Sequence, residues 1–146
     1  MNARVVNHGT NSRFFADQAA KFGFLAAPDL LGQLWFIDVG QEVVGHKLPS
    51  TQQVYVVLEG NGRLRAFDDT AFDDAAFYQP NPTIKVDPPP QAQPRASSYH
   101  DFPVEPHSVV VIPAGTLHAI YNDGGTRMLL VSVTGSRIHD ALYISR

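Results

Sequence analysis

From Leu34 onward the chain alternates apolar and polar positions in short runs that end at Gly, Pro, Asn or Asp. The runs are LWFIDV, VVGHKL, QVYVVLEG, RLRAFD, HSVVVIPAG, LHAIYND and RMLLVSVTG. Period-two patterning with β-branched and aromatic residues predicts strands, and many short strands between Gly and Pro turns predict an all-β antiparallel sandwich or barrel. Ahead of them, Phe14, Phe15, Gln18, Ala19 and Phe22 fall at helical spacing, after Asn11 or Ser12 as a cap and before Gly23 and Pro28. That spacing predicts one short helix within RFFADQAAKFG. The expected organisation is an N-terminal helix or arm over 1–33 and a single barrel domain over 34–146.

The pattern breaks over 68–106. The first part, DDTAFDDAAFY, places Asp68, Asp69, Asp73 and Asp74 for a solvated turn of helix with Phe72 and Phe77 inward. The second, QPNPTIKVDPPPQAQPRASSYHDFPVEP, holds eight of the eleven prolines. Proline removes a ladder donor and fixes φ, so a long extended loop is expected there and a central strand is excluded. Loops of this length in compact domains serve as lids or oligomer contacts when they are ordered.

Composition narrows the chemistry. The chain of 146 residues is 44% apolar and 17% charged, with a net charge of −3. Its three lysines and eight arginines are scattered, which argues against nucleic acid as a partner. Cysteine is absent, so disulfides and thiolate chemistry are excluded and any metal must be held by His, Asp, Glu, Gln or Tyr. No run of about 18 apolar residues and no apolar leader segment occurs, giving the expectation of a cytoplasmic protein without membrane partners. No glycine loop of the phosphate-cradling kind is present.

Two segments far apart carry candidate chemistry, Gly40 to Gly62 and Pro113 to Asn122, each with one histidine beside a turn. His46 and Leu48 share a strand face, and Gln53, Tyr55 and Val57 alternate onto one face after the turn. The expected inward cluster is His46, Leu48, Gln53, Tyr55, His118 and Ile120. Arg63 and Arg65 alternate on one strand, for a solvated outer face or for a ligand carboxylate.

These segments resemble the two motifs of the cupin superfamily, G-x5-H-x-H-x3-4-E-x6-G and G-x5-P-x-G-x2-H-x3-N. Gly40, His46 and Gly60 match the first in register; Pro113, Gly115, His118 and Asn122 match the second. The likeness spans about Leu34 to Thr134. It implies a double-stranded β-helix, a jelly-roll-like barrel that binds a small polar organic molecule inside, holds a divalent metal (Fe, Mn, Ni or Zn) and forms a homodimer.

Three positions depart from the pattern. His107 replaces the glycine that opens the second motif, Leu48 replaces the second histidine of the first, and Gln53 replaces its glutamate. Carried over residue by residue, the metal set is His46, Gln53 and His118, and the catalytic set is His46, His118 and Tyr55. With one histidine and the carboxylate lost, metal affinity is expected to fall well below the family's. Substitute ligands would have to come from Asp38, His100, Asp101, Glu105 or His107; His8 and His139 read as surface residues near the termini. Three readings remain: a metal-dependent enzyme, a metal-free isomerase, epimerase or cyclase with histidine as general base, and a non-catalytic binding module.

Overall fold

The computed structural model describes residues 3–10, 12–68, 77–78, 99–135 and 142–144. A short 3-10 turn, His8–Thr10, precedes eleven strands. These are β1 (Ala20–Ala26), β2 (Leu31–Ile37), β3 (Glu42–Lys47), β4 (Gln53–Glu59), β5 (Gly62–Phe67), β6 (Phe77–Tyr78), β7 (Tyr99–Val104), β8 (Val109–Ile112), β9 (His118–Tyr121), β10 (Met128–Thr134) and β11 (Leu142–Ile144). They form two antiparallel sheets, one ordered β1-β2-β10-β4-β8 and the other β6-β11-β3-β9-β5-β7.

The sheets face one another across an apolar core. The first contributes Ile37, Tyr55, Val57, Ile112, Met128 and Leu130, and the second contributes Val43, Leu64, Val104 and Ile120. Each strand alternates because only one of its faces looks inward. In β4 the buried residues are Gln53, Tyr55 and Val57, and the residues between them are half-buried. On edge strand β8, Val110 and Ile112 turn in while Val109 and Val111 stay exposed.

The predicted N-terminal helix does not form. From Ser12 to Ala19 the chain has neither helix nor strand, and it then enters β1, which pairs with β2. The same residues carry a second period: Ala20, Phe22 and Phe24 alternate, and they pack with Leu34, Phe36 and Leu129 on the outer side of the first sheet. Pairing with β2 gives the backbone its hydrogen bonds, and Gly23 weakens the competing helix. Phe14 completes this outer cluster, edge-on to Phe36 at 5.5 Å, with Arg127 over its ring.

The expected loop over 68–106 also needs correction at its end. Residues 99–104 are strand β7, paired with β5 at the rim of the second sheet. Pro103 is tolerated there because an edge strand has one side without a ladder. The proline-rich part before it, the acidic residues Asp69, Asp73 and Asp74, and His139 lie outside the described residues.

Backbone geometry explains the motif glycines. Gly60 has φ 81°, and a Cβ placed on it would lie 2.4 Å from the Arg127 carbonyl oxygen. His107, where the motif has glycine, also has a positive φ of 76°, in the tight turn between β7 and β8. A side chain in that region strains the backbone by about 1–2 kcal/mol. Replacing His107→Gly is therefore expected to stabilise the protein by about 0.5–1 kcal/mol once the extra unfolded-state entropy of glycine is subtracted. Urea unfolding measures it; a loss of stability of similar size would contradict the assignment.

Candidate functional site

His46 reaches the interior through an irregularity in β3. Val43 lies opposite Ile120 and His46 opposite His118, so β3 advances three residues where β9 advances two. The extra residue is a bulge, and it turns two positions three apart onto the same side, which a regular strand does not allow. Both are buried. His118 opens β9 directly beside His46. Across the barrel, the alternation of β4 points Gln53 and Tyr55 at the pair.

The imidazoles are held in one tautomer by the backbone. His46 Nδ1 lies 2.8 Å from the Val44 carbonyl oxygen, and His118 Nδ1 lies 3.0 Å from that of Thr116. A carbonyl only accepts, so each Nδ1 carries the proton and each Nε2 of the neutral ring presents a lone pair. Tyr55 donates its hydroxyl to His118 Nε2 at 3.0 Å and stands 3.5 Å from His46 Nε2. Gln53 Oε1 lies 3.3 Å from His46 Nε2, an acceptor that bonds this nitrogen only when it is protonated, and the two rings are 4.5 Å apart.

Burial decides their charge. Desolvation pushes the pKa of His118 down to about 3, with the neighbouring His46 adding to the shift. Desolvation also lowers that of His46, outweighing the hydrogen bonds to Val44 and Gln53 that favour its charged form. Near neutral pH both are uncharged acceptors at Nε2.

A cavity of about 430 Å³ opens on this cluster from one side. Its buried end is lined by Val43, His46, Leu48, Gln53 and Thr134. Gln33, Trp35 and Val44 form half-buried walls, and Asp17, Gln18 and Lys21 stand exposed at the rim. His118 and Tyr55 are fully buried and do not line the cavity; they sit behind His46 and hold it.

The sequence also carries a signal for the wall residues. In β10, Leu130, Ser132 and Thr134 share the inward face, so two polar residues stand where apolar ones are expected. Gln33 and Trp35 likewise alternate with Ile37 in β2, and Trp35 Nε1 donates to Ser132 Oγ at 3.0 Å.

The remaining candidates lie elsewhere. Asp38 faces Arg127, and Asp101 pairs with Arg63 and Arg65, whose guanidinium groups also stack on Tyr121 and Tyr99. The partners of this arginine pair are the protein's own carboxylates, Asp101 for both and Asp123 for Arg63. His100, Glu105 and His107 are exposed and do not line the cavity. Asn122, the last residue of the second motif, is structural. Its buried Nδ2 donates to the carbonyls of Ile37 and Thr126, and its Oδ1 accepts from Gly124.

The donor set decides how well a metal fits. Two imidazole nitrogens and one neutral amide oxygen fall short of the three good ligands of a zinc site and of the two-histidine, one-carboxylate set of non-haem iron. The His118 lone pair already accepts the Tyr55 hydroxyl. Among the described residues no three His, Asp or Glu side chains come together to hold a metal ion. As they stand, these residues do not fit a resident metal, because Leu48 and Gln53 replace the two ligands that would complete one.

No family model and no curated protein matches the sequence. Solved structures do match the fold. A conserved protein with a double-stranded β-helix domain from Klebsiella pneumoniae is 15% identical, with a TM-score of 0.69 over 99% of this chain and 100% of that one. A cupin superfamily protein from Desulfitobacterium hafniense is 16% identical, with a TM-score of 0.60 over 92% and 93%. The chain has the cupin fold. A recombinant oxalate oxidase in complex with glycolate is a further structural neighbour, 14% identical, with a TM-score of 0.59 over 88% of this chain and 56% of that one. At such identities the likeness is one of architecture, and this chain's own residues must carry any argument about its chemistry. No helix among the described residues is long and apolar enough to cross a membrane.

Proposed function

We propose that this cupin binds a small polar organic molecule in the cavity over His46 and Gln53. The observation that carries the reading is the buried polar cluster facing open space of about 430 Å³, within the range of about 300–1,000 Å³ common to small-molecule sites. A barrel interior that needed only packing would have apolar residues at these positions, because buried polar groups cost stability unless they are partnered. His46 and Gln53 supply hydrogen-bonding atoms at the surface of the cavity, while Tyr55 and His118 fix the His46 ring from behind.

Thermal-shift screening tests this. Saturable stabilisation by at least one small polar organic compound is expected, with no comparable shift from Mn²⁺, Fe²⁺, Ni²⁺ or Zn²⁺. Organic compounds that all fail while a metal stabilises the protein would sink the reading. Leu48→His combined with Gln53→Glu restores both missing ligands beside His46 and is expected to raise metal affinity by at least a hundredfold. Unchanged affinity would show that the two side chains do not converge with His46.

A second reading keeps the same cavity and adds catalysis without metal. His46 favours it: the ring is neutral, anchored at Nδ1, and exposes Nε2 as a proton acceptor, which is the state a general base requires. Turnover of the bound compound separates an isomerase, epimerase or cyclase from a binding module.

A further inference from the structure

We infer that the ligand of this cavity is a neutral polyol, a monosaccharide-like ring whose hydroxyls meet His46, Gln53 and Thr134 and whose face lies along Trp35. The inference rests on the small-molecule reading above and adds the chemical class. Its starting point is Thr134, which lines the cavity's buried end at 5% exposure, and whose hydroxyl Oγ1 makes no hydrogen bond among the described residues. A buried hydroxyl left this way costs about 1–3 kcal/mol, and a group entering the cavity can satisfy it. Thr134 is the register partner of Gln53, so both side chains address the same end.

Charge selects against ions. Among the described residues that end is lined by Val43, His46, Leu48, Gln53 and Thr134, none of which bears a formal charge when the imidazole is neutral. A carboxylate or an ammonium pushed there would lose its hydration without meeting an opposite charge, a cost that hydrogen bonds to neutral groups do not offset. Among the described residues at the outer part of the cavity, Lys21 is outnumbered by Asp17 and Glu42, so these residues give anions no net attraction on entry.

Hydrogen-bond polarity narrows the choice to hydroxyls. His46 Nε2 accepts only, whereas Gln53 and Thr134 each donate and accept. A ligand group that both donates and accepts suits all three; a ketone or ether cannot give a proton to Nε2. Trp35 commits its one polar atom to Ser132, so what it offers is the indole ring, which Lys21 Nζ approaches to 5.5 Å and which the C–H face of a sugar ring would cover in its place.

Calorimetric titration with a matched series tests the class: glucose, galactose, mannose and myo-inositol as neutral polyols, glucuronate as the anion, and glucosamine as the cation. At least one neutral compound is expected to bind at least tenfold tighter than both charged analogues. In Thr134→Val its affinity is expected to fall at least tenfold, while the melting temperature equals or exceeds that of the wild type, because the substitution removes an unpartnered hydroxyl at constant shape. Tighter binding of glucuronate or glucosamine, or unchanged polyol affinity in Thr134→Val, would overturn the polyol while leaving a small-molecule cavity in place. A panel without any binder would also overturn it, and the thermal-shift screen then shows separately whether the cavity takes another class.

Discussion

Asn122→Ala is expected to lose about 2–4 kcal/mol of stability, visible as a large drop in the urea midpoint and melting temperature. The side chain is 1% exposed, and its two Nδ2 bonds, both 2.9 Å, join the end of β2 to the turn before β10. Truncation leaves two carbonyls and the Gly124 amide without this partner, and loss of the side chain adds a small void. Asn122→Asp separates the causes. It preserves volume and the acceptor for Gly124, yet sets a carboxylate against two carbonyl oxygens, so it is expected to be at least as damaging as alanine. A mild aspartate variant would show that volume, not donation, is what matters here.

Acid is the second large effect. Both buried histidines have pKa values below the ordinary 6.5, His118 at about 3. Between those limits the unfolded chain binds protons that the folded chain refuses, so stability is complete above about pH 6.5 and is lost as pH falls toward 3. Each titrating histidine contributes a slope approaching about 1.4 kcal/mol per pH unit, or about 2–3 kcal/mol from His118 alone by pH 4.5. Asp101, held below its usual range mainly by Arg65, acts in the same direction only under pH 4 or so, outside that window. Chemical denaturation at pH 7.5, 6.0 and 4.5 reads the slope. His118→Gln should flatten it, and a wild-type stability independent of pH over this range would mean that the histidines are more hydrated than their burial indicates.

Much of the architecture was legible because it depends on local rules. Gly60 and the strand alternation of β4 each follow from backbone sterics, which act over a few residues and leave a readable trace. The inward placement of Gln53 and Tyr55 follows from the same alternation. The stretch before Gly23 carries two periods at once. Phe14, Phe15 and Phe22 fit a helix, while Ala20, Phe22 and Phe24 fit a strand, and the partner that decides between them, β2, lies beyond the window.

The finer features of the site depend on contacts between distant residues. The bulge that turns His46 inward shows only in the register of β3 against β9. The two backbone carbonyls that hold the ring protons, and the Tyr55 hydroxyl on His118, require three strands in place. Thr134 looks ordinary, as any threonine in a β-rich run does, until its neighbours are known. The motif identified the barrel; the substitutions at Leu48 and Gln53 changed its contents from a metal-ligand set to an uncharged hydrogen-bonding end.

Trp35 makes the central claim directly measurable, since it is the chain's one tryptophan and its indole lines the cavity. Its fluorescence is to be titrated with a compound that stabilises the wild type, and again in His46→Ala and Gln53→Leu. A saturable change whose midpoint rises at least tenfold in both variants is the predicted result. A fluorescence signal that stays flat while the compound stabilises the protein, or midpoints unmoved by either substitution, would place binding outside this cavity and contradict the account.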